Sequence, residues 1–259
     1  MKSLRFVPTA LALAFLTCAF SAQAQFDPVI IFGEDIDANG SFVPGGESEM
    51  ARQTFLDSLS GASTEDFEAL SGGTPLSLTF QGGAGEITAT LDGDGEVRSS
   101  PGAGRFATSG SRYINVSGDG FTIEFDSPVA AFGFYGTDIG DFEGQITLTL
   151  TLENGDEEEL IVPNSTPSST GLSQGQLDGA LLFYGILSPE VSFTQVVFGN
   201  TAAGTDIFGF DDLTVGDVQQ IVVPPPPAQA IPVPTLSSWS IMLLMLLVLS
   251  VAILRFRSI

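Results

Sequence analysis

The stretch "QITLTLTL", Gln145 to Leu152, decides the fold class because its apolar residues and its threonines alternate strictly. Successive side chains of a β-strand point to opposite faces of the sheet, so the alternation separates an apolar face from a threonine face. An amphipathic helix would instead need apolar residues three and four positions apart. The segment therefore predicts a half-buried strand with one face in a core, which is typical of antiparallel sheets.

Similar runs recur between Leu76 and Val218, bounded by Gly, Asp, Asn and Pro: LSLTF, EITATL, GFTIEF, AAFGFYG, ELIV, LLFYGIL and EVSFTQVVF. Turn sequences such as LDGDGE and ENGDEE lie between them. About ten short strands joined by turns predict an all-β fold, an antiparallel, jelly-roll-like β-sandwich. The 21 phenylalanines, against three tyrosines and one tryptophan, are expected to fill its core.

One segment has helical spacing instead. The sequence "ESEMARQTFLDSL", Glu47 to Leu59, places Met50, Phe55 and Leu59 on one partly apolar face. We expect one short N-terminal helix there, packed across one end of the sandwich.

The N-terminus is typical of a secretory signal peptide. Lys2 and Arg5 precede an apolar run that ends in a small-x-small cleavage site, so cleavage is predicted between Ala24 and Gln25. The alternative is a lipoprotein signal at Cys18, although the residues before it fit a lipobox poorly.

The C-terminus carries a second apolar segment. From Leu236 to Leu254 the chain has nineteen uncharged residues, close to the roughly 20 that span a bilayer as a helix. Arg255 and Arg257 follow at once, and such positive charge marks the cytoplasmic side. The proline-rich stretch before the helix, Val222 to Pro234, predicts an extended stalk.

This tail resembles the C-terminal sorting signals, of the IPTL-CTERM and PEP-CTERM type, that exosortase-type membrane proteases recognise in Gram-negative bacteria. Two departures from the family pattern are Val233-Pro234, which stretches the Ile-Pro-Thr-Leu core, and Ser238 at a usually acidic place. The resemblance implies that an exosortase-type protease is a partner and that the tail is cleaved after the helix has entered the membrane. The alternative is a permanent single-span anchor. The matching residues are Pro234, Thr235, Leu236, Ser237, Trp239, Arg255 and Arg257.

The charge and composition of the predicted exported part exclude several functions. It keeps four arginines, Arg52, Arg98, Arg105 and Arg112, against all 31 acidic residues. A field this negative repels phosphate backbones and attracts cations, so nucleic acid is not an expected partner. Without His or Cys beyond residue 24, the part lacks the groups for catalytic triads and thiol chemistry. Glycoside hydrolysis by paired carboxylates is the enzymatic alternative.

The body of the chain, from about Ala51 to Gly216, resembles a functionally uncharacterised domain of bacterial surface proteins that carry such tails. The resemblance rests on the blocks TEDFEAL, GRFATSG, FDSPVAAFGFYGTDIGDFEGQITLTL and GNTAAGTDIFGFDDLTVG. It implies a surface location but brings no established activity.

Two groups of acids are candidate ligands for a structural Ca²⁺, since hard cations prefer carboxylate and carbonyl oxygens. The first joins Asp66 and Glu68 to Asp211 and Asp212, because in jelly-roll modules similar to carbohydrate-binding and adhesion domains an early Glu and a late Asp commonly share Ca²⁺. Asp211 and Asp212 also break the strand alternation, as at a bulge.

The second candidate places Asp138 and Asp141 in the Gly-punctuated loop YGTDIGDFEG. The alternative for both groups is that the acids are solvated strand ends and turns.

Together these patterns predict a non-enzymatic protein of the cell surface or extracellular matrix with structural calcium. It is either a module that binds glycan or exopolysaccharide or a structural or adhesive component of the matrix. The alternative is a secreted glycoside hydrolase. The predicted segments are a signal peptide at 1–24, an N-terminal segment with the helix at 25–60, the β-sandwich at 61–218, a Pro-rich linker at 219–234, and the sorting motif, transmembrane helix and basic end at 235–259.

Overall fold

The computed structural model describes residues 25–117, 120–201 and 206–222. The predicted signal peptide, sorting motif and transmembrane helix, and all but the first residues of the predicted linker, lie outside these ranges. Within them, no helix is long and apolar enough to cross a membrane.

The described chain is mostly β-strand, as predicted. The helices are α1 (Glu47–Asp57), α2 (Pro167–Thr170), α3 (Gln174–Leu177) and a 3-10 helix (Val218–Gln220). The strands are β1 (Val29–Asp35), β2 (Ser63–Glu65), β3 (Gly72–Gly73), β4 (Leu76–Gln81), β5 (Glu86–Gly93), β6 (Glu96–Arg98), β7 (Tyr113–Ser117), β8 (Phe121–Val129), β9 (Ala131–Thr137), β10 (Ile146–Leu152), β11 (Glu157–Ile161), β12 (Leu181–Leu187), β13 (Phe193–Asn200) and β14 (Ile207–Gly216).

Two antiparallel sheets form the predicted sandwich. The eight-stranded sheet has the order β1-β12-β9-β14-β7-β6-β3, with β2 also pairing with β14, and the six-stranded sheet has the order β11-β10-β13-β8-β5-β4. In β10 the isoleucine and leucines are buried and the threonines are half-buried, which confirms the alternation of the opening stretch. The turn ENGDEE closes the β10–β11 hairpin, whereas LDGDGE carries the chain from one sheet to the other.

Phenylalanines fill the space between the sheets. Phe121 stacks on Phe198 with ring centroids 4.2 Å apart, and Phe210 meets both rings edge-on. Aromatic pairs favour such stacked and edge-to-face arrangements. The expectation of an aromatic core is confirmed.

Helix α1 packs on the outer face of the eight-stranded sheet and not across one end of the sandwich as predicted, so that β9 and β12 are buried on both faces. Phe55 is fully buried, and it fits because two strand residues have no side chain. A Cβ on Gly133 would lie 2.8 Å from the Phe55 ring, and one on Gly185 would lie 2.6 Å from it. The predicted helix and the inward position of Phe55 are confirmed, but Met50 is 49% exposed, so its assignment to the apolar face is wrong.

The first turn of α1 is capped from a distant strand. Both oxygens of Asp35, at the end of β1, accept hydrogen bonds there, from the Glu47 amide at 2.8 Å and from the Ser48 amide and hydroxyl at 3.2 and 2.6 Å. A carboxylate satisfies the free amides of a helix N-terminus and interacts favourably with the helix dipole. This contact fixes where the helix begins on the sheet.

Candidate binding sites

The first predicted calcium group does not assemble as four converging ligands. Strand β2 pairs with β14, and the pairing of β14 with β9 shifts register after Asp211, which confirms the bulge. Asp66, however, is exposed, and its Oδ1 accepts a hydrogen bond from the Glu68 amide at 3.1 Å. Its carboxylate is therefore occupied locally.

The other three acids hold one loop, residues 104–112, between β6 and β7. Glu68 accepts hydrogen bonds from the amides of Ser111 and Arg112, both at 2.6 Å. These bonds lower its pKa because they favour the ionised form, the Ser111 amide having the largest effect.

Asp211 and Asp212 hold the same loop from the other side. Asp211 Oδ2 accepts from the Thr108 amide at 2.6 Å, the Thr108 hydroxyl at 2.9 Å and the Ser109 amide at 3.1 Å. Asp212 accepts from the Ser109 hydroxyl at 2.7 Å, and its Oδ2 lies 3.3 Å from Arg52 Nη2. Burial, and next the charge of Asp212, raise the pKa of Asp211 to about 7. These acids tether the loop with the oxygens that a metal would need.

The second predicted pair lies in a cleft with more acids than the sequence indicated. A cleft of about 360 Å³, hereafter the acidic cleft, is lined by Ala103, Arg105, Asp138, Asp141, Phe142, Gly175, Asp178, Asp206 and Ile207. Asp138 follows β9, Asp178 precedes β12 and Asp206 precedes β14.

Strand pairing explains why these acids meet. Thr137, the last residue of β9, pairs with Leu181 at the start of β12 and with Gly209 near the start of β14. Because antiparallel neighbours run in opposite directions, the last residues of β9 and the first residues of β12 and β14 lie at the same end of the strands. The acids just outside these strand ends are therefore brought together.

Three carboxylate oxygens in the cleft are buried without a hydrogen-bond partner: Asp138 Oδ1, Asp141 Oδ1 and Asp206 Oδ2. The three side chains are 4%, 8% and 4% exposed. Buried polar atoms are normally paired, because an unpaired one loses its hydration without compensation. These oxygens are therefore the strongest signal for a ligand in the described part of the chain.

Gly104 marks the point where two of the carboxylates come closest. A Cβ built on this glycine, which has a φ of +71°, would lie 2.1 Å from Asp138 Oδ1 and 2.4 Å from Asp178 Oδ1. Both oxygens therefore face the same small volume. No three acidic side chains of the described residues are gathered as a ready metal-binding group, so the cleft offers a close pair with two further carboxylates on its walls.

Arg105 is the cation of the cleft. Its Nη1 lies 2.6 Å from Asp138 Oδ2 and donates to the Ile207 carbonyl at 3.3 Å, while its Nε donates to Asn115 Oδ1 at 3.0 Å. The guanidinium thus pairs with one oxygen of Asp138 and leaves the other facing the cleft.

The electrostatics of the cleft oppose ionisation of its carboxyls. Burial raises the pKa of Asp138 to about 7 and that of Asp206 to about 7, and in both the charge of Asp141 is the next cause. The pKa of Asp141 is raised by burial and then by Asp178. At neutral pH the cleft therefore holds partly ionised acids, whose charge a cation would stabilise.

Sequence reasoning found Asp138 and Asp141 but missed Asp178, Asp206 and Arg105. Each missed acid stands just before a strand, in QLDGA or GTDIF, and that position was the available signal. To use it, one must know that β9 lies between β12 and β14, and strand order is not readable from alternation.

No family model and no curated protein matches the chain. A similar solved structure is the C-terminal family 22 carbohydrate-binding module of Clostridium thermocellum Xyn10B, at 15% identity over 63% of this chain and 97% of that chain, with a TM-score of 0.34. Another is the K2 cleaved adhesin domain of Lys-gingipain, at 14% identity over 60% and 97%, with a TM-score of 0.37. A third is a family 11 carbohydrate-binding module from Clostridium thermocellum in complex with a β-1,3-1,4-mixed-linked tetrasaccharide, at 10% identity over 61% and 96%, with a TM-score of 0.24. Likeness at this distance carries no argument about a ligand.

Proposed function

We propose that the chain is an exported, non-catalytic module of the cell surface or matrix that binds calcium in the acidic cleft and attaches to surface polysaccharide. The observation that carries the proposal is the set of three buried carboxylate oxygens without partners, Asp138 Oδ1, Asp141 Oδ1 and Asp206 Oδ2.

The chemistry favours a hard divalent cation. An isolated buried carboxylate either takes up a proton or finds a positive charge. Arg105 neutralises part of one carboxylate, Asp138, and the charges of Asp141 and Asp178 have no comparable partner in the cleft among the described contacts. Calcium takes six to eight oxygen ligands in flexible geometry, and sites outside the cell can be weak because calcium is plentiful there.

Export supports the same choice. The signal sequence ending at Ala24 and the tail around Pro234, Thr235 and Leu236 support delivery to the cell surface, with an exosortase-type protease as the partner that releases the domain. The four arginines against 31 acids also favour cations as solution partners.

The enzymatic alternative would use the same carboxylates, one as an acid and one as a base or nucleophile. It predicts turnover of a polysaccharide that is lost on removing Asp138, whereas a binding module predicts retention without cleavage.

Calcium binding is tested by thermal unfolding of the full chain in detergent. Millimolar calcium should raise the Tm above its value in sodium chloride of equal ionic strength, because only the folded chain assembles the cleft. Asp138→Asn should lose most of this shift, while Glu158→Gln, which removes one exposed charge from β11, should keep it. Equal shifts in calcium and sodium for the unchanged chain would refute the proposal.

A further inference from the structure

We propose that calcium in the acidic cleft binds the vicinal hydroxyl groups of a neutral sugar residue, whose ring lies against Phe142. This inference rests on the proposed function, since it uses the same ion, and it adds the place and the chemical class of the polysaccharide.

The protein supplies fewer ligands than calcium needs. Asp138 Oδ1 and Asp178 Oδ1 converge beside Gly104, but no three acidic side chains of the described residues form a ready cage. Calcium needs about six to eight oxygens. An ion held by this pair therefore keeps several coordination positions for oxygens from outside the protein.

The cleft is larger than an ion alone would need. Its volume of about 360 Å³ exceeds the roughly 30 Å³ that one water molecule occupies in the liquid. It falls within the range of about 300 to 1,000 Å³ typical of small-molecule sites. An ion and a few waters would leave room for a sugar residue.

The charge of the cleft selects between neutral and acidic glycans. The cleft brings four aspartates against one arginine, so calcium leaves it negative overall when the carboxyls are ionised. The surrounding domain is also strongly acidic. A uronate or a phosphate would add a further negative charge to this field, whereas a neutral diol adds none.

The cleft also offers hydrogen-bond acceptors that suit a sugar hydroxyl. A hydroxyl that coordinates calcium through its oxygen still has a proton to donate. The unpartnered oxygens of Asp141 and Asp206 are acceptors without donors, which is the complement of such a hydroxyl. A carboxylate ligand has no proton to donate and would leave these atoms unsatisfied.

Phe142 lines the cleft and is 54% exposed, while most phenylalanines of the described chain are buried. An exposed ring beside a polar cleft presents an apolar face to a bound ligand. The C–H groups on one face of a sugar ring pack against such a surface, as apolar groups do on aromatic rings. The hydroxyls would then face the ion and the ring would face Phe142.

The experiment measures retention of the full chain on immobilised neutral polysaccharides: mannan, galactan and dextran. Alginate serves as the acidic polymer, and the detergent has no sugar headgroup. In calcium the chain should bind at least one neutral polymer, and a chelator should release it. Phe142→Ala should weaken binding about fivefold while leaving the calcium-induced Tm shift unchanged, and Asp178→Asn should weaken both. The control Glu158→Gln should alter neither.

The outcomes separate this inference from the proposed function. If calcium raises the Tm but the chain is retained on no neutral polymer, the inference is wrong and the calcium site stands. The same holds if the chain stays on the polymer in the presence of the chelator. Retention on alginate alone overturns the choice of a neutral sugar. If calcium has no effect on the Tm beyond that of sodium, the proposed function itself fails.

Discussion

Gly104 and Asp138 approach so closely that a single methyl group on the glycine would lie 2.1 Å from Oδ1 of the carboxylate. The loop that carries Arg105 therefore passes the acidic cleft with no space between its backbone and the carboxylate oxygens. Absence of a side chain at this position is a geometric requirement of the cleft.

Replacing Gly104 with alanine should abolish the calcium-induced Tm shift. The control is Gly155→Ala in the β10–β11 turn, which has a φ of +87° and nothing within 4 Å of its Cβ. Both variants carry the strain of a left-handed backbone, about 1 kcal/mol or more, but only Gly104→Ala places an atom among the carboxylates. Equal calcium shifts in the two variants would contradict the described geometry.

Without calcium, the chain should be more stable at about pH 5 than at about pH 7.5. Asp138, Asp206 and Asp211 have pKa values of about 7 when folded, above the usual value of about 3.9 in the unfolded chain. The folded state therefore binds more protons across this window, and stability falls as the pH rises through about 7. Urea unfolding midpoints in chelator measure the slope, which Asp211→Asn should reduce. A rise in stability over the same window would show that the sign is wrong.

Two variants discriminate between the calcium sites predicted from the sequence. Glu68→Gln and Asp212→Asn should keep the calcium-induced Tm shift, because these acids accept hydrogen bonds from the loop at 104–112. Each should lower the Tm itself, since a charge-assisted bond is weakened. If either variant loses the calcium shift, the ion binds between β2 and β14 rather than in the cleft.

Phe55→Ala should destabilise the domain by about 3 to 5 kcal/mol, the usual range for truncating a buried phenylalanine. The glycines at 133 and 185 form the slot for its ring, and they have no side chains of their own that could fill the cavity. Met50→Ala on the same helix should be nearly neutral, because Met50 is 49% exposed. Urea unfolding of both variants measures the difference.

Changing Pro234 and Thr235 to alanine should leave the chain at full length in the membrane if the tail is a protease signal. The readout is the size and fractionation of the chain in cells, with Ser237→Ala beside it as a milder change in the same motif. Processing that is unaffected by the double substitution would leave a permanent anchor as the better explanation.

Alternation predicted much of the fold, because a strand with one buried face has an apolar residue at every second position of its sequence. Strand β7 keeps a short alternation but was not among the predicted runs. The other strands that were not predicted lack that period for identifiable reasons. In β1 the residues VIIF are continuously apolar, and β2, β3 and β6 are only two or three residues long. Helices α2 and α3, of four residues each, are too short to show a helical period.

The candidate site was harder to predict than the fold because it depends on contacts between distant segments. Asp138 and Asp141 lie in one loop and could be found together. Asp178 and Asp206 join them only through the order of β12, β9 and β14. Likewise, the spacing of Glu68 and Asp211 said nothing of the loop amides that occupy their oxygens.

Strand β14 is the last strand of the described residues along the chain, yet it lies inside the eight-stranded sheet, between β9 and β7. Without it the sheet consists of two halves that share no backbone hydrogen bonds in this strand order. One half contains β1, β12 and β9, and the other contains β7, β6 and β3. A polypeptide that emerges from its N-terminus delivers this joining strand after every other strand of the described residues. The two halves of the eight-stranded sheet therefore stay unjoined until nearly all of the described domain has emerged, so this sheet can be completed only at the end of delivery.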